Sequence, residues 1–404
     1  MKIMRINCLN EPPGGVERYI RETDIYLSKL GHEVITAEIN STGTPGNLAF
    51  TEHLYVNGSH VRRALGDVFS EPSVLKSLLD IYRRSKPDII HIHHFRVSFM
   101  AVARFVNLVD TPCVYTAHDA QLICPIATLV LPNGNACEGG VKPRCFFTGC
   151  KVGLGLPYEI YRVMIFNKLV KQRISAYICP SLSMKKYLEA YGYTPAIFVQ
   201  SLPNIDTSSF AMLPIPAENT IGFLGRIEKN KGLQFLIQAL GIAKNAIPDI
   251  HLNIAGDGGF LPYIKILVER LDLSSHVSFL GYIPKENHKE FFASIKFTVI
   301  PSIMIENRVF VAQESFGFGR PVIASSVGGI PEIVKNNYNG ILVKPANSDE
   351  LALEMVNLLK DESRLKYYSE NAFLSLNETT TDTNGIDGIL KVYEAIIQKA
   401  TSIT

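Results

Sequence analysis

Two α/β domains, each built on a doubly wound parallel sheet, are what this sequence predicts, on three observations. Strand-like apolar runs alternate with helical patterns through both halves of the chain, and that alternation builds parallel sheets with right-handed crossovers. The chain has 404 residues, too many for one compact core and natural for two of roughly 200 each. Its composition, 47% hydrophobic with 19% charged residues, suits well-buried cores and excludes a disordered chain.

In chain order, the first half offers the strand candidates KIMRINC, HEVITAEI, DIIHIHHF, PCVYTAH and AYICPS. The helical pattern VERYIRETDIYLSKLG follows the first of them and ends at Gly31, where a C-terminal cap is expected. The second half repeats the rhythm with TIGFLGRI, HLNIAGDG, VSFLGYI, FTVIPSI, RPVIASS and GILVKP. A Pro- and Ser-rich stretch over 195–218 marks the boundary, so residues 1–200 are expected to form one domain and 201–384 the other. In such folds ligands bind beyond the carboxyl ends of the strands.

Charge and hydropathy bound the partners. The formal net charge is +2, which gives no reason to expect nucleic acid. No apolar run reaches the ~18 residues of a membrane span, and KIMRINCLN is too short and polar for a signal-peptide core, so a cytoplasmic protein is expected. Between 142 and 186 stand Lys142, Arg144, Lys151, Arg162, Lys168, Lys171, Arg173, Lys185 and Lys186 against Glu159 alone. Basic residues interleaved with aromatic and aliphatic ones there read either as a solvated helix face or as a surface for anionic lipid headgroups. Any membrane contact is then peripheral.

The most informative stretch is 301–334, PSIMIENRVFVAQESFGFGRPVIASSVGGIPEIV. Glu306 falls in a turn after a strand candidate, and Glu314 falls about two turns into the helix that Gly317, Gly319 and Pro321 terminate. A strand that hands over to a helix through a short loop presents unpaired backbone N–H groups, here those near Val309, Phe310 and Val311, which suits a phosphorylated ligand. RPVIASS and GGIPEIV then repeat the strand, glycine loop and helix, with Pro331 near the first helical position.

Other strand ends carry matching chemistry. FLGRIEKNKG sets Arg226 and Lys231 just past a strand, spaced so that a guanidinium fork and an ammonium can both reach one diphosphate. Gly14 and Gly15 follow the first strand, where the missing Cβ atoms let the backbone approach a phosphate. His118 and Asp119 end another strand, and His91 and His93 project from one strand face beside His94, in a pattern that raises a metal reading. Cys8, Cys113 and Cys179 lie in apolar strands as core residues. Cys124, Cys137, Cys145 and Cys150 crowd into one loop-rich segment, where a structural zinc, a redox-sensitive loop and locally packed thiols are all open.

On these residues the chain resembles the retaining glycosyltransferases of family 4, which have the GT-B fold of two Rossmann-like domains facing a cleft. The pattern E-x7-E, G-x-P-V-I-A, G-G-x-P-E stands here as Glu306 to Glu314, Gly319 to Ala324 and Gly328 to Glu332, with a departure at Asn307-Arg308 where the family has small residues. G-R-x-x-x-x-K-G stands at Gly225 to Gly232. The resemblance implies transfer of a sugar from a UDP- or GDP-sugar to a glycan, lipid-linked or other hydroxyl acceptor, in cell-surface polysaccharide or glycolipid synthesis, without a catalytic cofactor. It implies that Arg226 and Lys231 neutralise the leaving diphosphate, Glu306 meets the donor sugar, Glu314 the ribose, and His118 orients the sugar. Gly14 and Gly15 would meet the donor diphosphate or the acceptor. Gly256 and Ile283, with Asp257, Gly258 and Tyr282, would lie near the nucleotide, and Asn204 near the cleft. The final helix, 385–404, would return to the first domain. The alternative class is a catalytically silent GT-B subunit that binds a nucleotide or a partner.

Overall fold

The structure, a computed structural model, describes residues 1–8, 15–40, 51–55, 72–95, 98–131, 137–147, 150, 155–199, 210–380 and 385–402. The chain divides into two compact units. The first comprises Met1–Ala127, Gly139–Asn204 and Thr383–Thr404, the second Thr128–Glu138 and Ile205–Asp382. The segment Thr128–Glu138 was not foreseen in the second unit; there Thr128 O accepts the Ile305 N–H at 3.4 Å.

In the first unit the strands are β1 (Lys2–Cys8), β2 (Glu33–Asn40), β3 (Thr51–Tyr55), β4 (Ile89–Ile92), β5 (Cys113–Thr116), β6 (Ile174–Cys179) and β7 (Ala196–Phe198). They pair in parallel in the order β3-β2-β1-β4-β5-β6-β7. The helices are α1 (Gly15–Lys29), α2 (Pro72–Ser85), α3 (Phe99–Leu108), α4 (Arg144–Phe147), α5 (Gly155–Val170) and α6 (Leu182–Ala190). Helix α1 ends as its sequence predicts. Gly31 takes φ +82°, its N–H reaches Ser28 O, and the His32 N–H reaches Leu27 O. One face of the sheet is covered by α1 and by the last helix of the chain, α14 (Ile386–Thr401), whose Ile386, Ile389, Val392 and Tyr393 share a buried cluster with Ile3, Tyr19, Ile20 and Ile89.

The second unit holds β8 (Thr220–Leu224), β9 (His251–Ala255), β10 (Val277–Gly281), β11 (Thr298–Ile300), β12 (Val322–Ser325) and β13 (Gly340–Val343), in the parallel order β10-β9-β8-β11-β12-β13. Its helices are α7 (Leu233–Ala243), α8 (Leu261–Arg270), α9 (His288–Ala293), α10 (Phe310–Gly317), α11 (Ile330–Ile333), α12 (Ser348–Lys360) and α13 (Glu362–Thr380). The β strands of this sheet read as continuous apolar runs because both faces are covered. Its largest core joins Ile221, Leu252, Ile254 and Val299 to Leu236, Leu240, Met355 and Leu358 of α7 and α12.

Both units are therefore the predicted doubly wound parallel α/β domains. Each sheet reverses its strand order beside its first strand, between β1 and β4 and between β8 and β11. At such a reversal the loops leaving the two central strands diverge to opposite faces and leave a crevice at the strand carboxyl ends. Among the described residues no helix is long and apolar enough to cross a membrane.

Candidate functional site

The loops after β8 and β11 are built to lie against one another. Gly232 adopts φ +74°, and a Cβ there would sit 1.8 Å from Pro301 O. Only glycine lets these backbones approach so closely. Asn230 O then accepts the Ile303 N–H at 3.0 Å, with Ser302 Oγ 3.3 Å away. The consequence for side chains is direct: Lys231 Nζ meets Glu306 Oε1 at 2.6 Å, and Ser302 Oγ donates to the same oxygen at 2.8 Å. Glu306 is held from behind as well. Gly328, at φ +55°, would bring a Cβ 2.4 Å from Glu306 O, and the Gly329 N–H donates to that carbonyl at 2.6 Å.

The neighbouring turns are zipped in the same manner. Gly256 has φ +141°, and a Cβ there would lie 1.9 Å from Gly225 O. Ile227 N–H donates to Asp257 O at 2.8 Å, Gly256 N–H to Gly281 O at 2.7 Å, and Gly259 N–H to Glu228 Oε1 at 3.3 Å. Three successive strand ends are thus fixed by backbone bonds. Arg226 projects from this frame as an exposed side chain, while Lys231 is half-buried. The structure joins Lys231 to Glu306, and Arg226 makes no ion pair among the described residues.

Glu314, 4% exposed, is the fifth residue of α10, one turn in and not two. Its Oε2 lies 3.1 Å from His288 Nδ1, whose ring reaches with Nε2 to Ile283 O at 3.3 Å. The two carboxylates therefore have different partners, an ammonium for Glu306 and an imidazole for Glu314. Val309 caps α10 and is buried, with Phe310 and Val311 half-buried in its first turn. Beneath the helix Arg320 is fully buried and donates to Phe292 O, Leu213 O and Pro214 O at 2.8, 3.0 and 2.6 Å. Burial lowers its pKa to about 10. Tyr282 is 79% exposed and Ile283 half-buried at the end of β10. Sequence reasoning missed His288, Ser302 and Arg320. Ser302 and Arg320 lie within the motif stretch itself, whereas His288 stands 26 residues before Glu314 with no local pattern to mark it.

In the first unit the histidines gather on buried strand ends. His118 Nε2 lies 2.9 Å from His93 Nδ1, and Tyr19 packs edge-on to both rings. Burial, with help from His94 and Arg5 against the opposing charge of Asp119, lowers the His118 pKa to about 3. It is a neutral imidazole. His91 engages Tyr393 through Nδ1 and Thr116 Oγ1 through Nε2, which occupies both nitrogens a metal would need. His94 Nε2 lies 3.0 Å from Asp119 Oδ2. Below them Arg5, fully buried, pairs with Asp24 at 2.5 Å.

Gly14 and Asn204 lie outside the described residues; Gly15 is the exposed first residue of α1. The seven cysteines form no disulfide, and Cys145 packs with Leu156 and Ile160. Among the described residues no three His, Cys, Asp or Glu side chains gather as a metal-holding group; for Cys124, Cys137, Cys145 and Cys150 the sequence leaves a zinc site, a redox-sensitive loop and packed thiols open. Within the basic segment, Arg162 and Glu159 are a buried pair at 2.8 Å, whereas Phe146, Phe147, Met164 and Leu182 are exposed.

Comparison with known proteins places this geometry among relatives. The model for glycosyl transferases group 1 matches residues 205–374, and that for glycosyltransferase family 4 matches residues 13–201. An uncharacterized glycosyltransferase of Methanocaldococcus jannaschii is 34% identical over 330 residues, covering 80% of this chain and 79% of the relative. A glycogen synthase of Mycobacterium tuberculosis is 23% identical across 89% of this chain and 86% of its own. Among solved structures, sucrose-phosphate synthase from Thermosynechococcus elongatus superposes with TM-score 0.73 at 18% identity, over 100% of this chain and 98% of its own. Anabaena HepE in complex with UDP-glucose superposes with TM-score 0.70 at 18% identity over the whole of both chains. These likenesses identify the fold as GT-B.

Proposed function

Because this chain belongs to the group 1 glycosyl transferases, we propose that it moves a sugar, with retention, from a UDP- or GDP-sugar to a hydroxyl acceptor. The observation that carries the reading is the assembly at the β8–β11 reversal, where Lys231, Ser302 and Glu306 converge one short loop before Glu314. An ammonium has three donors. Lys231 can keep its bond to Glu306 and still donate to a leaving phosphate, which sets the sugar-binding carboxylate and the diphosphate-binding cation side by side. Arg226, exposed on the adjoining turn, supplies a second cation, and the first-turn amides of α10 add donors.

In this reading the acceptor hydroxyl attacks from the face the diphosphate leaves, and a phosphate oxygen takes its proton. Fixed cations stabilise charge that develops on the leaving group, the kind of stabilisation that is commonly the largest catalytic term. Glu306 holds sugar hydroxyls and Glu314 the ribose. Solved neighbours that hold UDP and UDP-glucose put uridine nucleotides first among donors to try. The acceptor is expected to be a glycan or lipid-linked alcohol, as in cell-surface polysaccharide synthesis. The exposed Phe146 and Phe147 beside basic residues support a peripheral contact with anionic membrane on that side.

The test is a thermal-shift panel of UDP, GDP, ADP and their sugar conjugates. A selective shift from one base, lost in Arg226→Ala, supports the donor reading. The absence of any shift moves the assignment to a silent binding subunit.

A further inference from the structure

His288 connects two pieces of the second unit that the donor reading treats separately. It opens α9, after the 3-10 turn Lys285–Asn287, and its side chain is 16% exposed. Nδ1 lies 3.1 Å from Glu314 Oε2, and Nε2 lies 3.3 Å from Ile283 O. Phe292, one turn along α9, meets the ring edge-on with centroids 6.4 Å apart. Both ring nitrogens thus face oxygen acceptors. Either acceptor can be served by one N–H, and both together when the ring carries both protons.

We infer that His288 is the positioning residue for the donor's nucleoside: it fixes the plane of the Glu314 carboxylate and ties it to the backbone at Ile283. The inference rests on the reading of Glu314 as the ribose ligand. A glutamate side chain has three rotatable bonds, and a carboxylate must present its lone pairs in one plane to accept from two vicinal hydroxyls. A carboxylate offers about four acceptor sites, so one imidazole N–H orients it and leaves capacity for the sugar. The same N–H offsets the negative charge that Glu314 would otherwise present close to an anionic diphosphate. The second contact runs to the loop after β10, where Ile283 stands beside the expected place of the base. Through one ring, the element that reads the ribose and the element that flanks the base are held in register. A group that acts this way stabilises bound nucleotide through orientation, which is how second-contact residues act on ligating carboxylates elsewhere.

The experiment is calorimetric titration of the full chain with UDP and with 2′,3′-dideoxy-UDP, and with the guanosine pair in parallel because the base is open. Wild type, Glu314→Ala, His288→Ala, His288→Asn and His288→Gln are compared, each after its melting temperature shows it folded. Wild type should prefer the ribose form by about tenfold or more, the scale of a hydrogen bond to a charged group. Glu314→Ala should erase that preference and His288→Ala reduce it to within about twofold. An Asn amide nitrogen falls where Nδ1 was and should restore the preference. A Gln amide falls where Nε2 was and should not. Full preference retained in His288→Ala, or equal rescue by Asn and Gln, overturns the positioning role. If Glu314→Ala keeps the preference, or wild type shows none, the ribose reading itself fails and the inference falls with it.

Discussion

Lys231 and Glu306 meet at 2.6 Å with side chains 26% and 11% exposed, so the pair sits at the edge of solvent. Screening there limits what the pair adds to folding to about 1 kcal/mol. On the proposed reading its worth in transition-state stabilisation is larger, because a lost charge-stabilising donor typically lowers kcat about 10²–10³-fold. Lys231→Ala should therefore lower sugar transfer by about two orders of magnitude and shift the denaturation midpoint only slightly. Steady-state rates set beside a urea titration check this, and a loss of stability matching the loss of rate would contradict it. Glu306→Gln keeps an oxygen for Ser302 and for Lys231, and should hurt donor-sugar transfer more than UDP binding. At this scale the sequence carried much of the site. Glu306, Glu314, Arg226 and Lys231 stand in short, ordered motifs where spacing is geometry. His288 was invisible for the opposite reason: its tie to Glu314 spans 26 residues and exists only once β10, α9 and α10 have packed.

The loops that position these side chains depend on glycines whose conformations no other residue adopts cheaply. At Gly256 both conditions act together, a φ of +141° and a would-be Cβ 1.9 Å from Gly225 O. Gly256→Ala must push the β8 and β9 turns apart, and should weaken nucleotide binding by about tenfold or more while the far cores of the second unit stay intact. Titration with UDP and a circular-dichroism melt measure the two effects separately. Arg320 plays the complementary part under α10. Its guanidinium serves three backbone carbonyls, of which Phe292 O also accepts the Ile295 N–H at 3.5 Å and Pro214 is exposed, so Arg320→Leu should cost about 1–3 kcal/mol in all. Arg320→Lys supplies one ammonium in place of a planar fork and should recover only part of this, as denaturant midpoints will show. At the scale of elements the sequence was legible where strands are long and apolar. All six strands of the second sheet were read from their runs. In the first sheet β3 and β7 were missed. Both are edge strands, and β7, only Ala196–Phe198, lies inside the Pro- and Ser-rich stretch read as a linker. An edge strand buries less and needs less apolar sequence to form.

The two units carry separate cores, and their chemistry predicts that they answer to different variables. Burial holds His91 and His93 neutral far below the ordinary imidazole pKa, and His118 down to about 3. Unfolded, each takes up a proton below about pH 6.5, so the unfolded state binds more protons and the first unit loses stability as pH falls from 6.5 toward 3. Two acids oppose this. Burial beside Glu17 raises the Glu38 pKa to about 7, and burial also raises Asp24 despite Arg5. Their folded forms hold protons that the unfolded chain has released, which favours folding as pH falls from about 7 toward the ordinary carboxyl range. Burial also holds His32 below the ordinary imidazole value, so four histidines against two carboxyls leave a net uptake of protons on unfolding and a loss of stability as pH falls. A donor nucleotide acts elsewhere. On the proposed reading it binds through the second unit and would stabilise that unit by about 2.7 kcal/mol at a hundred times its Kd. Differential scanning calorimetry can separate the two, since a chain of two units is not bound to melt as one. Acidification from pH 7 to pH 5 should lower the first unit's transition most, the second falling less through its lowered histidine, His251, and UDP should raise the one that acid moves less. His93→Gln should flatten the acid response without moving the UDP response. If UDP and acid act on the same transition in equal measure, the donor site does not reside in the second unit alone.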